Sequence, residues 1–344
     1  MAHISNPLAT PEQLYQRHAL SALPTDLGDV VLFATQCLTQ AAGLLLQLPQ
    51  SVTAQANVVL ARYWLVESST AHEPSVSSPR HSTNRHTSLS NPPSQDVSAA
   101  AIYLVAKLGP APRSPRDVAN VYAYLLSSQS SFFSSGAKTP SIPSDPSAYY
   151  LSDSAYHAFH SRVLALEARI LYALSFDTHV SLPHPLAVTY LQALDFLGHH
   201  PKEAISRRVV EHLNAALLSP QMLYLTHQPN ALAVSAIYNA ARDVGAKMPE
   251  CEWWEVFDVD REELGFLVVG MRSVEGWARK QREEMPDLWE GMLTLKMVNE
   301  ELRKQGIQVS NGGRAADGAV DEEAEMMRKM DERIAAREGG ESIT

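Results

Sequence analysis

The stretch Ala101-Ile102-Tyr103-Leu104-Val105-Ala106-Lys107 decides the fold, because it returns in register as Ala236-Ile237-Tyr238-Asn239-Ala240-Ala241-Arg242, 135 positions later. An internal repeat is stronger evidence of architecture than any single motif. In both copies the small residues are spaced so that neighbouring helices can approach closely, as the central helix of a bundle requires. The two copies therefore predict two similar helical domains in tandem.

The composition is that of a folded protein with substantial hydrophobic cores. The chain has 344 residues, of which 45% are hydrophobic, and this size suits two domains with tails. We expect a soluble intracellular protein, because the sequence shows neither an uninterrupted apolar run of about 18 residues nor a secretory signal. A formal net charge of −10 disfavours binding of nucleic acid through phosphate contacts. The expected partner is therefore a protein, with no membrane involved and no direct contact with nucleic acid.

Motifs that carry enzyme chemistry are missing from the sequence. It contains no Gly-rich phosphate loop, no Gly-x-Ser-x-Gly elbow and no His-Glu-x-x-His helix. None of the 13 histidines pairs with other ligand types at metal spacing. Cys37 and Cys251 are far apart, and we expect them to be two small buried residues rather than a disulfide. The sequence thus predicts no catalytic residue, no metal, no cofactor and no enzymatic activity.

Five helices and two insertions are predicted in the first half of the chain. Residues 67–95 and 127–147 are rich in Ser and Pro and lack apolar periodicity, so we expect them to be disordered. Ser114-Pro115-Arg116-Asp117 is typical of a helix start, with Ser as the cap, Pro in the first turn and an acidic residue near the helix dipole. The helices are expected to begin near Asp29, Pro49, Val97 and Pro115, and the fifth to end near Ser175.

The second half repeats this series without large insertions. Asp260-Arg261-Glu262-Glu263 resembles a capping box at the start of its last helix. Beyond about Gln281 the sequence is charged and helical in propensity, which predicts a tail rather than a third domain. The predicted organisation is all-α, with an N-terminal segment, a first domain, a second domain and a tail at residues 1–25, 26–180, 181–280 and 281–344.

Two charged residues are predicted on apolar helix faces of the first domain. Glu167 belongs to the stripe of Val163, Ile170 and Leu174, and Lys107 lies one turn from Leu104. They could reach the surface or pair with each other for stability alone. They could also present a charged pair that fixes a partner's backbone through charge-assisted hydrogen bonds. The spacing leaves both interpretations open.

Several short motifs in combination resemble the cyclin family, and most of all its L-type transcriptional members, in a fungal-type form without their arginine-serine tail. The resemblance extends from about Asp26 to Arg279. Each motif is short, but the combination is specific. The motifs are the first repeat copy, Ala111-Pro112-Arg113, Glu167-Ala168-Arg169-Ile170-Leu171, Gln40-Ala41-Ala42-Gly43 and His184-Pro185.

This resemblance implies two five-helix cyclin boxes in tandem and a function as a regulatory subunit. Such a subunit binds and activates a cyclin-dependent protein kinase in RNA polymerase II transcription or pre-mRNA processing. The implied kinase is of the PITSLRE type, and the implied location is the nucleus. Carried over by position, the kinase-binding residues are the charged pair Lys107 and Glu167 and the apolar contacts Leu104, Leu108 and Phe176.

The chain departs from the family's pattern directly after Lys107. The family has an apolar residue and two acids there, whereas this chain has Leu108-Gly109-Pro110, so contacts through those acids are absent. Two alternatives remain: a transcriptional cyclin of another class, or a kinase-free binding module that resembles the general transcription factors with the same tandem fold. That module would need a basic face on the second box, for which Arg207-Arg208 is too little.

Overall fold

The computed structural model describes residues 5–19, 23–70, 94–127, 130, 150–197, 202–289, 291 and 293–306. Within these ranges all regular structure is helical, which confirms the predicted all-α class. Most of both predicted insertions, and the tail from residue 307, lie outside the described residues. The α-helices are α1 (Pro11–Ala19), α2 (Thr25–Leu45), α3 (Gln50–Thr70), α4 (Ser94–Leu108), α5 (Pro115–Leu126), α6 (Asp153–Ala173), α7 (Pro183–Ala193), α8 (Lys202–Leu217), α9 (Leu223–Thr226), α10 (Pro229–Val244), α11 (Arg261–Glu284) and α12 (Leu295–Lys304).

Two compact units divide the chain. Residues 1–77 and 93–298 form the first unit, which holds both repeat copies. Residues 78–92 and 299–344 form the second, of which the structure describes 299–306. The account of the core and the candidate site below concerns the first unit.

Local capping signals place several helix starts where the sequence predicts them. The Ser114 hydroxyl accepts the backbone N–H of Asp117 at 3.1 Å, with Pro115 in the first turn of α5. The Asp260 carboxylate accepts the backbone N–H of Glu263 at 2.8 Å at the start of α11. Both N-caps satisfy a backbone donor that the helix leaves unpaired.

Other boundaries differ from the sequence-based expectation. Helix α7 begins at Pro183 rather than Pro185, and α3 and α4 extend into the ends of the predicted 67–95 insertion. Helix α1 was not predicted. Its start is a reciprocal capping box, in which Thr10 Oγ1 accepts the N–H of Gln13 at 3.2 Å and Gln13 Oε1 accepts the N–H of Thr10 at 2.9 Å. The Thr-Pro-x-Gln pattern is the sequence signal that would have revealed it.

The two repeat helices are the centres of two bundles. Helix α4 packs against α2, α3, α5 and α6, and α10 packs against α7, α8, α9 and α11. Their small and β-branched side chains let four neighbours approach at once. This arrangement is compatible with tandem boxes, although a 3₁₀ turn (Glu255–Phe257) stands between α10 and α11 where the first half has α5. Side chains with no exposed area are Ala99, Ala100, Ala101 and Ile102 in α4, and Ala233, Val234, Ala236 and Ile237 in α10.

A buried chain of hydroxyl groups links three helices of the first bundle. Ser98 Oγ lies 2.6 Å from Thr39 Oγ1 of α2 and 2.6 Å from the Tyr122 hydroxyl of α5. Thr39 Oγ1 also donates to the Thr35 carbonyl at 2.9 Å. Because each of these three hydroxyl groups has a partner, the network specifies the helix register at little desolvation cost.

The segment before α1 joins the two halves of the first unit. Asn6, only 6% exposed, exchanges two hydrogen bonds of 2.8 Å with the backbone of Ser181. Gln228 exchanges two more with the Asn6 backbone, at 3.0 and 3.1 Å. The Ala9 N–H then donates to the Leu225 carbonyl at 2.7 Å. We call residues 5–10 the strap, because they tie the connection between the halves to the start of α10.

Aromatic side chains that follow α10 in the chain also contact α2 of the first bundle. The Phe33 ring of α2 lies 5.3 Å from the ring of Trp277 and 5.6 Å from that of Trp289, centroid to centroid. Trp289 belongs to a 3₁₀ turn, Pro286–Trp289, in which Leu288 is 4% exposed. Residues beyond the predicted domain limit at 280 therefore pack on the first half of the chain.

The two cysteines do not both fit the expectation. Cys37 is partly buried in α2, and burial raises the pKa of its thiol to about 12. Cys251 is exposed, so the prediction of a buried residue was wrong there. Cys251 follows α10 in a loop between Glu250 and Glu252, where no apolar face directs it inward.

Helix α2 is long and apolar enough to cross a membrane, but 61% of that stretch is buried inside the protein. The central helices of folded bundles have the same composition. No group of three or more His, Cys, Asp or Glu side chains that could hold a metal occurs among the described residues.

Enlarging a repeat helix should destabilise the protein. We expect Ala101→Leu and Ala236→Leu each to lower the free energy of unfolding by about 1–3 kcal/mol, because both sites are fully buried and closely packed. Urea denaturation measures the change. The control is Ala165→Leu at an exposed site of α6, expected within about 0.5 kcal/mol of the parent. Equal effects at all three sites would contradict the central position of α4 and α10.

The aromatic contact between the halves makes a second prediction. Trp289→Ala should lower the free energy of unfolding by about 1–3 kcal/mol, less than a fully buried Trp would cost, because Trp289 is only partly buried. Differential scanning calorimetry should show the matching fall in melting temperature. Tyr15→Ala, at a side chain that is 72% exposed, is the control and should leave the melting temperature unchanged. If both variants melt like the parent, the turn does not stabilise the first half.

Candidate functional site

The structure brings the two predicted charged residues into direct contact. Lys107 Nζ in the last turn of α4 donates to Glu167 Oε1 of α6 at 2.8 Å. The Lys107 side chain is 51% exposed, whereas that of Glu167 is 8% exposed. A buried carboxylate thus holds an ammonium group at the surface. This geometry is compatible with both interpretations of the pair, a role in stability and a role in partner binding.

Electrostatics keep Lys107 charged. The hydrogen bond that Lys107 donates to Glu167 raises the pKa of Lys107, and the negative charge of Glu167 adds to this shift, while partial burial acts in the opposite direction. The ammonium also lies 5.8 Å from the centre of the Tyr103 ring, within the range of a cation–π contact. Lys107 is therefore a fixed positive charge near neutral pH.

The second repeat copy uses its charges differently. Arg242, at the position equivalent to Lys107, is exposed and has no ion pair within the described part of the chain. The neighbouring Asp243 instead binds Arg272, His212 at 2.8 Å and Arg208 at 3.1 Å. The Asp243 carboxylate is thus satisfied inside the second bundle, and among the described residues the paired cation at this repeat position belongs to the first copy.

The three predicted apolar contacts are not equivalent. Leu108 and Phe176 are each 62% exposed, as expected of apolar side chains that become buried only when a partner binds. Leu104 is 2% exposed and packs in the core of the first bundle, one turn before Lys107. In this structure Leu104 supports the surface from beneath rather than forming part of it.

The turn after α6 holds an aromatic pair that the sequence interpretation did not include. Ser175 and Phe176 have φ angles of 51° and 63°, a left-handed conformation that is costly for an aromatic residue. The Phe176 N–H closes the helix end on the Leu171 carbonyl at 2.8 Å. Tyr172 is 73% exposed, and its ring meets that of Phe176 edge-on at 5.5 Å. The spacing of four between the two aromatic residues was the available signal.

A second ion pair joins the same two helices and has nearly the same environment. Arg162 Nε of α6 donates to Asp96 Oδ2 of α4 at 2.8 Å, with side-chain exposures of 53% and 7%. The Arg162 guanidinium lies 5.8 Å from the Phe159 ring, as Lys107 does from Tyr103. The Arg162–Asp96 pair is therefore a matched control for the Lys107–Glu167 pair.

Sequence comparison finds similarity to L-type cyclins over most of the chain. The chain is 26% identical to cyclin-L1 of Gallus gallus over 269 residues, which are 78% of this chain and 43% of that protein. It is 27% identical to human cyclin-L2 over 71% of this chain and 39% of that protein. An uncharacterised cyclin-L1-like protein of Schizosaccharomyces pombe is 28% identical over 66% of this chain and 76% of its own length. The predicted resemblance is therefore confirmed, although the chain spans only about two fifths of the length of these animal relatives.

Solved structures show the same fold. A chain of the yeast RNA polymerase II CTD kinase CTDK-1 complex superposes with a TM-score of 0.58 at 14% identity, over 89% of this chain and 87% of that chain. A chain of the CAK complex of Chaetomium thermophilum bound to ATP-γ-S gives a TM-score of 0.52 at 15% identity, over 89% and 92%. No family model matches the sequence.

Removing the cation of either ion pair should have a moderate effect on stability at neutral pH. Lys107→Met and Arg162→Met are each expected to lower the free energy of unfolding by about 1–3 kcal/mol, because the half-exposed cation itself contributes little but its loss leaves a buried carboxylate without its partner. The pKa of Lys107 is raised on folding, so its contribution is complete below the ordinary value of 10.5 and is lost as pH rises through the higher folded value. Urea denaturation of parent and Lys107→Met at pH 8 and above pH 10.5 measures both effects. A difference that grows with pH would contradict this electrostatic origin.

Proposed function

We propose that the chain is the regulatory subunit of a cyclin-dependent protein kinase, because it resembles the L-type cyclins in sequence and shares its fold with chains of the CTDK-1 and CAK complexes. It binds the kinase and supplies no catalytic group. Its effect is a population shift, because a subunit that binds the active arrangement of the kinase more tightly than the inactive one raises the active fraction.

The observation that carries this proposal is the surface formed where α4 and α6 end. Three large apolar side chains, Leu108, Tyr172 and Phe176, are exposed at or just beyond these helix ends, and the last turn of α4 carries the lysine of the charged pair. Aromatic anchors around a desolvated polar contact are typical of the energetic centre of a protein interface. Helix α6 continues for six residues beyond Glu167, roughly 9 Å, before the turn that carries Phe176, so one partner element can cover both.

The charged pair can fix a partner by its remaining hydrogen-bonding capacity. An ammonium group has three donors, of which Glu167 Oε1 takes one. Lys107 can therefore donate to a backbone carbonyl of the kinase while Glu167 accepts from a backbone N–H. Such charge-assisted hydrogen bonds gain strength once the interface excludes water.

The resemblance to L-type cyclins supports a more specific proposal. The kinase is of the PITSLRE type, and the complex acts in the nucleus on RNA polymerase II transcription or pre-mRNA processing. Gly109 and Pro110 stand where the family has acids, so the surface beside Lys107 carries less negative charge. We expect the kinase to meet this rim through apolar or neutral groups rather than through a lysine or arginine.

Kinase binding by charge variants tests the proposal. Lys107→Met and Glu167→Gln should each cost about 2–5 kcal/mol of binding, a loss of roughly thirty-fold or more, mainly through faster dissociation. Surface plasmon resonance with the PITSLRE-type kinase, together with a kinase assay, measures affinity and activation. Arg162→Met is the matched control, since it removes an equivalent cation from the same helix pair and should leave binding unchanged.

Other outcomes would overturn parts of the proposal. Full activation by both Lys107→Met and Glu167→Gln would remove the charged pair from the interface. Equal losses from Arg162→Met would show that the effect is structural, and a loss from Arg242→Met would show that the second bundle binds as well. Purification from the native cell identifies the co-purifying kinase. Purification without any kinase, together with binding to promoter DNA, would favour the kinase-free module.

A further inference from the structure

Arg62 of α3 is a buried guanidinium whose hydrogen bonding is incomplete. The residue is 8% exposed, and its Nη1 donates to the His179 carbonyl at 2.8 Å. Its Nε and Nη2 are buried and have no partner within the described residues. Burial lowers the pKa of Arg62, although the negative charge of Asp177 opposes the shift. Buried donors without acceptors are costly, so this arrangement indicates an absent partner.

The two unpaired nitrogens form one edge of the guanidinium plane. Nε–H and one N–H of Nη2 point in parallel along that edge, and this fork matches the two oxygens of a carboxylate. Arg113 shows the same edge in use, since its Nε donates to the Leu46 carbonyl at 2.7 Å and its Nη2 to the Gln47 carbonyl at 3.0 Å. Of these two arginines, only Arg62 leaves Nε and Nη2 without an acceptor among the described residues.

Arg62 forms part of the wall of a cavity of about 320 Å³. It is open to solvent and is lined by the strap, α3, the end of α6 and α9. Its volume lies at the lower end of the range for small-ligand sites. The wall is mostly aliphatic, with Leu8, Leu65, Val66, Leu174 and Leu225.

Asp177 limits the charge of an occupant. It lines the same cavity, and its carboxylate accepts the backbone N–H of His179 at 3.1 Å. The charges of Arg62 and Asp177 balance each other, so a monoanion leaves one net negative charge in the cavity, whereas a dianion such as phosphate leaves two. A monoanion with an apolar body therefore suits this cavity better than a dianion.

We propose that this cavity binds a carboxylate group on a short aliphatic body, held by Nε and Nη2 of Arg62. Because Nε and Nη2 are buried as they stand, this binding requires the guanidinium to rotate toward the cavity that Arg62 lines. The same chemistry is offered by a free branched-chain carboxylic acid and by a glutamate side chain beside leucine in a partner protein. The site is separate from the Lys107–Glu167 pair and does not depend on kinase binding.

Titration of the full-length chain tests the proposal. The probe is 4-methylpentanoate, and its neutral counterpart is 4-methylpentanamide. With ¹⁵N-labelled arginine, we expect a saturable shift of the Arg62 Nε–H signal with the acid and none with the amide, while the Arg113 signal stays unchanged. Arg62→Lys should bind the acid at least tenfold more weakly, since lysine keeps the charge and loses the fork, whereas the control Arg113→Lys should bind like the parent.

Two further probes distinguish the sources and the anion. Tighter binding of N-acetyl-Leu-Glu-Leu-amide than of its Gln analogue and of 4-methylpentanoate assigns the site to a protein segment, and binding of the free acid alone assigns it to a small molecule. The proposal fails if the amide binds as well as the acid, if inorganic phosphate binds more tightly, or if the Arg62 signal does not shift. The parent's Arg62 signal decides the matter even if Arg62→Lys does not fold.

Discussion

The close approach of four neighbours to each repeat helix is the constraint on which the structure depends. Fully buried side chains no larger than isoleucine, from Ala99 to Ile102, let α2, α3, α5 and α6 surround α4. Gly43 shows how tight the first bundle is, because a Cβ there would lie 2.3 Å from Thr53 Oγ1. With α4 held on all sides, its last turn has one position, and Lys107 meets Glu167 at the surface.

Sequence reasoning succeeded where the signal is local or periodic. The repeat identified both central helices, and the Ser114 and Asp260 caps were confirmed because an N-cap needs only the next three residues. The pairing of Lys107 with Glu167 was one of two interpretations left open, and the structure supplies the contact without choosing between stability and binding. It also resolves the apolar set, because burial separates Leu104 from Leu108 and Phe176.

What the sequence could not reveal depends on residues far apart along the chain. The contact of Phe33 with Trp289 and the exchange of hydrogen bonds between Asn6 and Ser181 have no periodic signature, since each exists only after two helical bundles have assembled. The exposure of Tyr172 likewise depends on the assembled structure and has no periodic signature in the sequence. Its neighbours are set by where α6 ends, and the left-handed turn at Ser175 and Phe176 is not encoded by a glycine.

That turn connects the two surfaces proposed here. Phe176 is exposed to solvent in the turn after α6, while Ser175 and Asp177, its neighbours in the chain, line the Arg62 cavity. Two backbone hydrogen bonds hold the turn. The Phe176 N–H donates to the Leu171 carbonyl at 2.8 Å, and the Asp177 N–H donates to the Leu174 carbonyl at 2.9 Å. An occupant that displaces the backbone of Asp177 would thus act on the same turn that presents Phe176. By thermodynamic linkage, any such effect on kinase affinity is matched by an equal effect of the kinase on the affinity for the occupant.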